Sequence, residues 1–194
     1  MKKLELKDIY PPPIYEAMRE EFRRTVREIK RPRRVELGPV VSFTFENRAT
    51  MTLQVSEMLR AEKIVDLAAM QQELDVYNSL LPDEGELSAT LFVEITEQEA
   101  IKPTLRRMVG IDAHVVMEAG GERVPAVFEA GRSEEERIAA VQYVRFRPGE
   151  NAKRAILTPG ASVALSSDLP GYSHRTVLSE ATRASLAADL GGAN

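Results

Sequence analysis

Residues 114–129 read HVVMEAGGERVPAVFE, and they carry the clearest hairpin signal in the chain. Two runs rich in valine and other apolar residues flank Gly120 and Gly121, and glycine readily adopts the positive φ angles of a tight turn. The pattern predicts two strands joined by a short turn. Because a hairpin joins antiparallel strands, we expect a mostly antiparallel sheet.

Further runs rich in β-branched and aromatic residues extend the predicted sheet on both sides of this hairpin. They are RRVELG (33–38), PVVSFTFEN (39–47), GELSATLFVEI (85–95) and AAVQYVRFRP (139–148), with one or two more strands in RAILTPGASVALSSD (154–168). The segment RPGENAKR (147–154) is interpreted as a loop.

Helical spacing of apolar residues predicts amphipathic helices around these strands. The opening helix follows three prolines, ends at Pro32 and carries an apolar stripe of Ile14, Met18, Phe22, Val26 and Ile29. Other helices are predicted over 47–62 and 66–81, from a capping box at Thr96 and Glu99 to Gly110, over two turns from a capping box at Ser133 and Glu136, and from Ser179 to Gly191.

These elements predict an α+β fold, in which a mostly antiparallel sheet is packed with amphipathic helices. The length of 194 residues fits a single domain over 1–194. The basic N-terminal helical segment, residues 1–34, is expected to pack on that domain.

The composition excludes several kinds of chemistry. The chain has no cysteine and two histidines, His114 and His174. It therefore cannot form a disulfide, a thiolate nucleophile, a Cys-ligated zinc site or an iron–sulfur cluster of its own. The patterns G-x-x-x-x-G-K-[ST], G-x-G-x-x-G and G-x-S-x-G are missing. We expect no cofactor and no metal site.

The location is predicted to be cytoplasmic. The opening residues MKKLELKDIYPPP hold acids where an export signal needs an apolar run. No stretch approaches the roughly 18 apolar residues of a membrane span, so no membrane partner is expected. The two histidines are interpreted as a half-exposed strand residue (His114) and a residue of a loop or strand end (His174).

The net charge of −4 hides an asymmetry along the chain. Residues 1–34 hold 11 Lys/Arg against 6 Asp/Glu, a local charge of +5. Arg19, Arg23 and Arg27 form one face of the opening helix, which predicts docking on an acidic partner or on phosphates. The alternative is a solvated helix with internal pairs such as Glu16 with Arg19. Nucleic acid is not the expected partner, because the pI is about 5.4.

A second feature is a stripe of uncharged polar residues on each of two successive helices. Asn47, Thr50, Gln54 and Glu57 share one helical face, as do Gln71, Asp75 and Asn78 on the next helix. Polar residues in register indicate half-buried positions with fixed partners. They predict either a ligand site between the two helices or a polar seam without a ligand. The candidate ligand-binding residues are Arg48, Gln54, Glu57, Arg60, Asp75 and Asn78.

An enzyme acting through carboxylates is the alternative function. Glu57, Glu62, Asp75 or Glu86 would then serve as acid and base, or as ligands of a divalent ion in a hydrolase. The sequence also leaves open whether the chain forms a homo-oligomer.

Four segments together resemble an uncharacterised bacterial family, the domain-of-unknown-function family 3501. They are FENRATMTLQVSEMLRAEKI, ELDVYNSLLPDEGELSATLFVEI, FEAGRSEEERIAAVQYVRF and HRTVLSEATRASLAADL. The family implies no functional residues, because no activity is established for it. Its members resemble one another in lying beside rubrerythrin-like and iron–sulfur oxidoreductase proteins in bacterial gene clusters. The resemblance therefore implies an accessory or binding role beside a redox system.

Overall fold

The structure, a computed structural model, describes residues 1–129, 133–134 and 137–192. Within these residues the α-helices are α1 (Pro12–Lys30), α2 (Arg48–Ala61), α3 (Leu67–Leu80), α4 (Ile101–Arg107), α5 (Glu150–Leu157) and α6 (Glu180–Leu190). The strands are β1 (Arg34–Leu37), β2 (Val41–Phe45), β3 (Leu87–Val93), β4 (Val115–Ala119), β5 (Glu122–Phe128), β6 (Ser133–Glu134), β7 (Arg137–Ile138), β8 (Val141–Phe146), β9 (Val163–Leu169) and β10 (Tyr172–Val177).

One sheet holds eight of these strands in the order β1-β2-β3-β8-β5-β4-β9-β10, and β6 pairs separately with β7. Every neighbouring pair in the described residues is antiparallel. The predicted α+β fold with an antiparallel sheet is confirmed. The hairpin of residues 114–129 forms β4 and β5, with Ala119 opposite Glu122 and positive φ angles of 58° at Gly120 and 78° at Gly121.

The large sheet curls until its first and last strands meet. The Tyr172 hydroxyl on β10 donates to the Leu37 carbonyl of β1 at 2.6 Å and accepts from the Val41 amide at 3.0 Å. Thr176 donates to the Glu36 carbonyl at 2.7 Å. Side-chain hydroxyls, and not a backbone ladder, therefore join the two edges.

The main hydrophobic core lies inside this curled sheet, because alternate residues of each strand point inward. Phe43, Leu91, Met117 and Phe146 are fully buried there. Burial of such side chains contributes roughly 1.5–3 kcal/mol each. Ala152 and Ile156 of α5 and Leu186 of α6 belong to the same cluster, so these two helices pack on the sheet.

A second hydrophobic cluster joins the N-terminal residues to the next two helices. Its buried members are Leu4, Ile9, Met51, Val55, Leu59, Met70, Leu74 and Leu81. Helix α1 packs on α2, with Tyr15 and Val26 buried. No helix within the described residues is long and apolar enough to cross a membrane.

The interpretation of residues 147–154 as a loop is wrong. Helix α5 begins at Glu150, whose acidic side chain suits the positive end of a helix dipole. Ala152 and Ile156 are spaced by four and are fully buried. Residues 154–168 accordingly hold the end of this helix and a single strand, β9.

Three smaller predictions also need correction. The helix before Gly110 begins with a short 3-10 turn at Gln98–Ala100, and its start carries no side-chain cap, so the capping box at Thr96 is wrong. The two helical turns predicted from Ser133 are wrong, because Ser133–Glu134 pairs as a strand with Arg137–Ile138. Glu136, the predicted capping partner, lies outside the described residues. His174 lies within β10, opposite Ser167.

Candidate functional site

The polar stripe on α2 begins as a helix cap. The Asn47 side chain accepts from the Thr50 amide at 3.1 Å, and the Thr50 hydroxyl accepts from the Asn47 amide at 2.9 Å. This reciprocal pair satisfies backbone groups that the first turn of a helix leaves without partners.

Glu57, farther along the same stripe, joins α2 to α1. Its carboxylate accepts from the Tyr15 hydroxyl at 2.6 Å and from two nitrogens of Arg19, each at 2.9 Å. The hydrogen bond from Arg19 lowers the pKa of Glu57 more than burial raises it, and Tyr15 adds to the lowering. Burial, together with Glu57, raises the pKa of Tyr15.

Other predicted ligand-binding residues hold the N-terminal segment. Arg48 donates to the carbonyls of Lys2 and Lys3 at 2.8 and 2.6 Å and to Asp8 at 3.0 Å. Asn78 on α3 accepts from the Leu4 amide at 2.7 Å and donates to its carbonyl at 2.9 Å.

The remaining members of the predicted set also have partners within the chain. Arg60 donates to Glu16 of α1 at 2.6 Å, and Asp75 accepts from Gln71 at 2.7 Å within its own helix. The structure therefore brings Glu57 and Arg60 to α1, and brings Arg48 and Asn78 to residues 2–8. Ligand binding by these residues stays a prediction.

Gln54 leads to a residue that the sequence did not single out. Its side-chain amide lies 3.3 Å from Glu46 Oε1, which also accepts from the Thr90 hydroxyl at 2.6 Å. The Glu46 residue is 2% exposed. Its second oxygen, Oε2, is buried and makes no hydrogen bond within the described residues.

The ends of two strands position this carboxylate. Glu46 directly follows β2, and its backbone amide donates to the Ser88 carbonyl of β3 at 2.9 Å. Its own carbonyl accepts from Arg33 at 3.1 Å. Because side chains alternate along a strand, Ser88 and Thr90 share the outer face of β3 with Glu46, away from the core residue Leu91.

A cavity of about 130 Å³ opens beside Glu46, between this sheet face and the end of α3. The Ser88 hydroxyl is also buried and without a hydrogen bond in the described residues. The lining residues are Glu46, Ser79, Leu80, Ser88, Ala89, Val127, Phe128, Glu129, Tyr143, Val144 and Arg145. We call this cavity the Glu46 pocket.

The cations nearest the pocket already have acidic partners. Arg145 donates to Glu86 at 2.9 Å, and Arg33 pairs with buried Asp189. Glu46 makes no salt bridge to a cationic side chain within the described part of the chain. The pocket thus presents one free carboxylate oxygen and one free hydroxyl in a mainly apolar wall, and these groups can accept hydrogen bonds from a donor.

The carboxylates of the predicted enzyme do not share one site. Glu86 lies between Arg145 and Arg147, which donate at 2.9 and 2.6 Å, whereas Glu57 faces α1. No group of three or more His, Cys, Asp or Glu side chains that could hold a metal occurs in the described residues. The carboxylate mechanism stays a prediction.

The histidines lie apart from the Glu46 pocket. His114 Nδ1 lies 2.7 Å from Asp168 Oδ1, and this contact lowers the pKa of Asp168 most, with further lowering from Arg123. The His174 ring packs edge-on against Tyr172, with ring centroids 4.5 Å apart, and beside Gly38.

A signal for Glu46 does exist in the sequence. In SFTFEN, Thr44 and Glu46 alternate with Phe43 and Phe45, which predicts that Glu46 faces away from the core. Such a glutamate is ordinarily solvated. Glu46 is buried because helices cover this sheet face, and the sequence near Glu46 does not indicate that they do.

A solved structure shares the fold of this chain. The crystal structure of a novel protein of unknown function from Burkholderia pseudomallei K96243 is 31% identical, with a TM-score of 0.90. The similarity covers 97% of this chain and 100% of that one. No curated protein matches. The family model described as "Protein of unknown function (DUF3501)" matches residues 3–190, and the chain therefore belongs to this family.

Proposed function

We propose that the protein binds a small organic cation, and that the Glu46 pocket is the binding site. One observation carries this proposal: the buried Glu46 carboxylate has a free oxygen beside a cavity whose other buried polar group, the Ser88 hydroxyl, is also free. A buried polar group without a partner costs about 1–3 kcal/mol, and a buried charge costs more. A bound ammonium group supplies both the missing hydrogen bonds and the missing charge.

The size of the cavity limits the ligand. Its volume is about 130 Å³, and a cavity of roughly 150 Å³ in another protein accommodates benzene. The apolar wall formed by Leu80, Val127 and Phe128 fits a short alkyl chain or a single ring. The proposed class is therefore a primary amine with a compact apolar body.

A thermal-shift and calorimetry series tests this assignment. The probes are methylammonium, isobutylammonium and benzylammonium chlorides, with isobutanol and benzyl alcohol as uncharged counterparts. We expect saturable binding of at least one of the two larger amines and a clearly weaker effect of the alcohols. Equal effects of amines and alcohols, or no binding by any amine, would overturn the proposal.

Variants locate the site. Glu46→Gln keeps the shape and removes the charge, so it should reduce amine affinity at least tenfold. Glu97→Gln, at an exposed position, is the matched control. Ser88→Val fills part of the cavity and should also weaken binding. Unchanged affinity in both Glu46→Gln and Ser88→Val would place the amine elsewhere.

We also propose an accessory role beside a redox system, which the family resemblance supports. Arg23 and Arg27 of the predicted docking face reach solvent, whereas Arg19 is held by Glu57. A pull-down from native lysate should therefore compare Arg23→Glu/Arg27→Glu with Lys102→Glu/Arg106→Glu on α4. Loss of a redox partner in the first variant alone supports docking there, and equal recovery contradicts it. A cytoplasmic location stays part of this proposal.

A further inference from the structure

A groove with a positively charged wall lies between the end of α1 and the outer face of β1–β3. Its volume is about 620 Å³, within the range of ordinary small-molecule sites. Arg27 and Lys30 come from α1, Arg31 follows the helix, and Arg34 begins β1. The complete lining is Arg27, Glu28, Lys30, Arg31, Arg34, Thr44 and Phe92.

Strand register builds the floor of this groove. Arg34 lies opposite Thr44 on β2, and Phe92 of β3 lies opposite Ser42. Leu91 and Val93 on either side of Phe92 point into the core and are buried. Phe92 therefore faces outward, and its half-buried ring forms an apolar surface beneath the cations.

The charges of the groove are incompletely balanced. Arg34 donates to the two oxygens of Glu94 at 2.7 and 2.8 Å, and Arg31 lies 3.8 Å from Glu28. The side chains of Arg27 and Lys30 make no hydrogen bond or ion pair within the described residues. Two carboxylates, Glu28 and Glu94, pair with two of the four cations, so a net positive charge from Arg27 and Lys30 remains, and this charge favours an anion of two or more charges.

We infer that this groove binds a small organic polyanion that combines a phosphate group with a flat ring. The phosphate oxygens would take the free donors of Arg27, Lys30 and Arg31, since a guanidinium binds phosphate in a bidentate manner. The ring would lie on Phe92, because aromatic side chains stack on flat rings. The groove shares no lining residue with the Glu46 pocket, so polyanion binding in the groove and amine binding in the pocket can be tested independently.

A single-stranded nucleic acid is the competing ligand for such a groove. Its binders carry successive aromatic side chains along a basic track. Phe92 is the single aromatic residue among the lining side chains of this groove, so the groove offers no run of stacking platforms. The observations therefore favour a nucleotide-sized ligand.

Calorimetry with three probes separates the two parts of the ligand. ADP carries both charge and ring, pyrophosphate carries charge, and adenosine carries the ring. In 20 mM NaCl we expect ADP to bind most tightly, pyrophosphate more weakly, and adenosine not measurably. Raising NaCl to 300 mM should weaken ADP binding several-fold, because salt screens exposed charges. No saturable binding of ADP in 20 mM NaCl would overturn the proposal.

Variants then test the groove residues. Arg27→Gln/Lys30→Gln should weaken ADP at least tenfold, whereas the matched control Arg24→Gln/Lys102→Gln, which removes the same charge outside the groove, should change it less than twofold. Phe92→Leu should weaken ADP and leave pyrophosphate unchanged, with a melting curve to show that the variant is folded. Equal weakening by both double variants, or tighter binding of a 12-nucleotide oligonucleotide than of ADP, would contradict the assignment.

Discussion

The Tyr15 hydroxyl donates a hydrogen bond of 2.6 Å to Glu57, a residue 42 positions away on the next helix. Tyr15 is 1% exposed, and Arg19 completes the contact from one turn farther along α1. The polar stripe of α2 and the basic face of α1 thus meet each other at Glu57. The pair of Glu16 with Arg19, given as the alternative on the opening helix, does not form within the described residues. Arg19 pairs with Glu57 of α2 and lies 3.8 Å from Glu20 of its own helix, and Glu16 accepts from Arg60 of α2.

Glu57→Gln should destabilise the protein by about 1–3 kcal/mol, the usual cost of losing hydrogen bonds to a charged group. Urea unfolding followed by circular dichroism measures this change. Glu20→Gln on the exposed side of α1 is the control and should lie within about 0.5 kcal/mol of the parent protein. Equal stability of the two variants would show that the contact does not hold α1 to α2.

The same contact predicts a dependence of stability on pH. Because Arg19 and Tyr15 lower the pKa of Glu57 in the folded protein, the folded state binds fewer protons than the unfolded state. Its contribution is present above the unfolded pKa of about 4.3 and is lost as the pH falls through the lower folded value. Melting temperatures of the parent and Glu57→Gln should therefore converge as the pH falls from 6 to 3. A constant difference across this range would contradict the assignment.

Asp189→Asn should destabilise the protein strongly, by about 3–5 kcal/mol, because it leaves the buried Arg33 guanidinium without its counter-ion. Both side chains are 1% exposed. The double variant Arg33→Met/Asp189→Leu should recover part of this loss and not all of it. Arg33 also donates to the carbonyls of Phe45 and Glu46, at 2.7 and 3.1 Å, and methionine cannot replace those bonds.

Chemical unfolding of the two single variants and the double variant measures the coupling between Arg33 and Asp189. Losses that simply add would show that the pair does not act as a unit.

Gly120→Ala and Gly121→Ala form a matched pair at the turn of the β4–β5 hairpin. Both glycines have positive φ, so each alanine should cost roughly 1–2 kcal/mol. A Cβ at Gly120 would also overlap the carbonyl oxygen of Asn151 on α5, whereas a Cβ at Gly121 meets nothing within 4 Å. Gly120→Ala should therefore be the more destabilising variant by at least about 1 kcal/mol. Thermal unfolding of both proteins measures the difference, and equal losses would exclude a tight contact between the turn and α5.

Sequence patterns predicted the parts of the fold that depend on local signals. The glycines of the hairpin and the alternation in β2 and β3 each depend on a few neighbouring residues. So does the start of α6, where the Ser179 hydroxyl accepts from the Thr182 amide at 3.1 Å. Helix α5 was missed because its apolar face within eight residues consists mainly of Ala152 and Ile156, too little to show a period. The elements that α5 packs against, β4 and α6, lie elsewhere in the sequence, so no local pattern indicates that this segment is covered.

The candidate site was harder to predict, because it also depends on contacts between residues that are far apart in the sequence. Gln54, a member of the predicted ligand set, contacts the buried carboxylate of Glu46. In the sequence, however, Glu46 cannot be distinguished from an ordinary outward-facing strand residue. A pattern shows which way a side chain points, but it does not show whether another part of the chain covers it. Arg48, Asn78 and Glu57 looked available because their partners, residues 2–8 and α1, lie far away in sequence.

The meeting of β1 and β10 has a consequence for how the chain behaves at high concentration. An exposed strand edge is a template on which another molecule can add a strand, and this is a common route to aggregation. Here the Glu36 and Leu37 carbonyls of β1 are occupied by hydroxyls of Thr176 and Tyr172. Each edge of the sheet thereby shields the other from a second molecule. Tyr172→Phe removes the hydroxyl that occupies the Leu37 carbonyl, so this variant should aggregate during refolding, which turbidity measures.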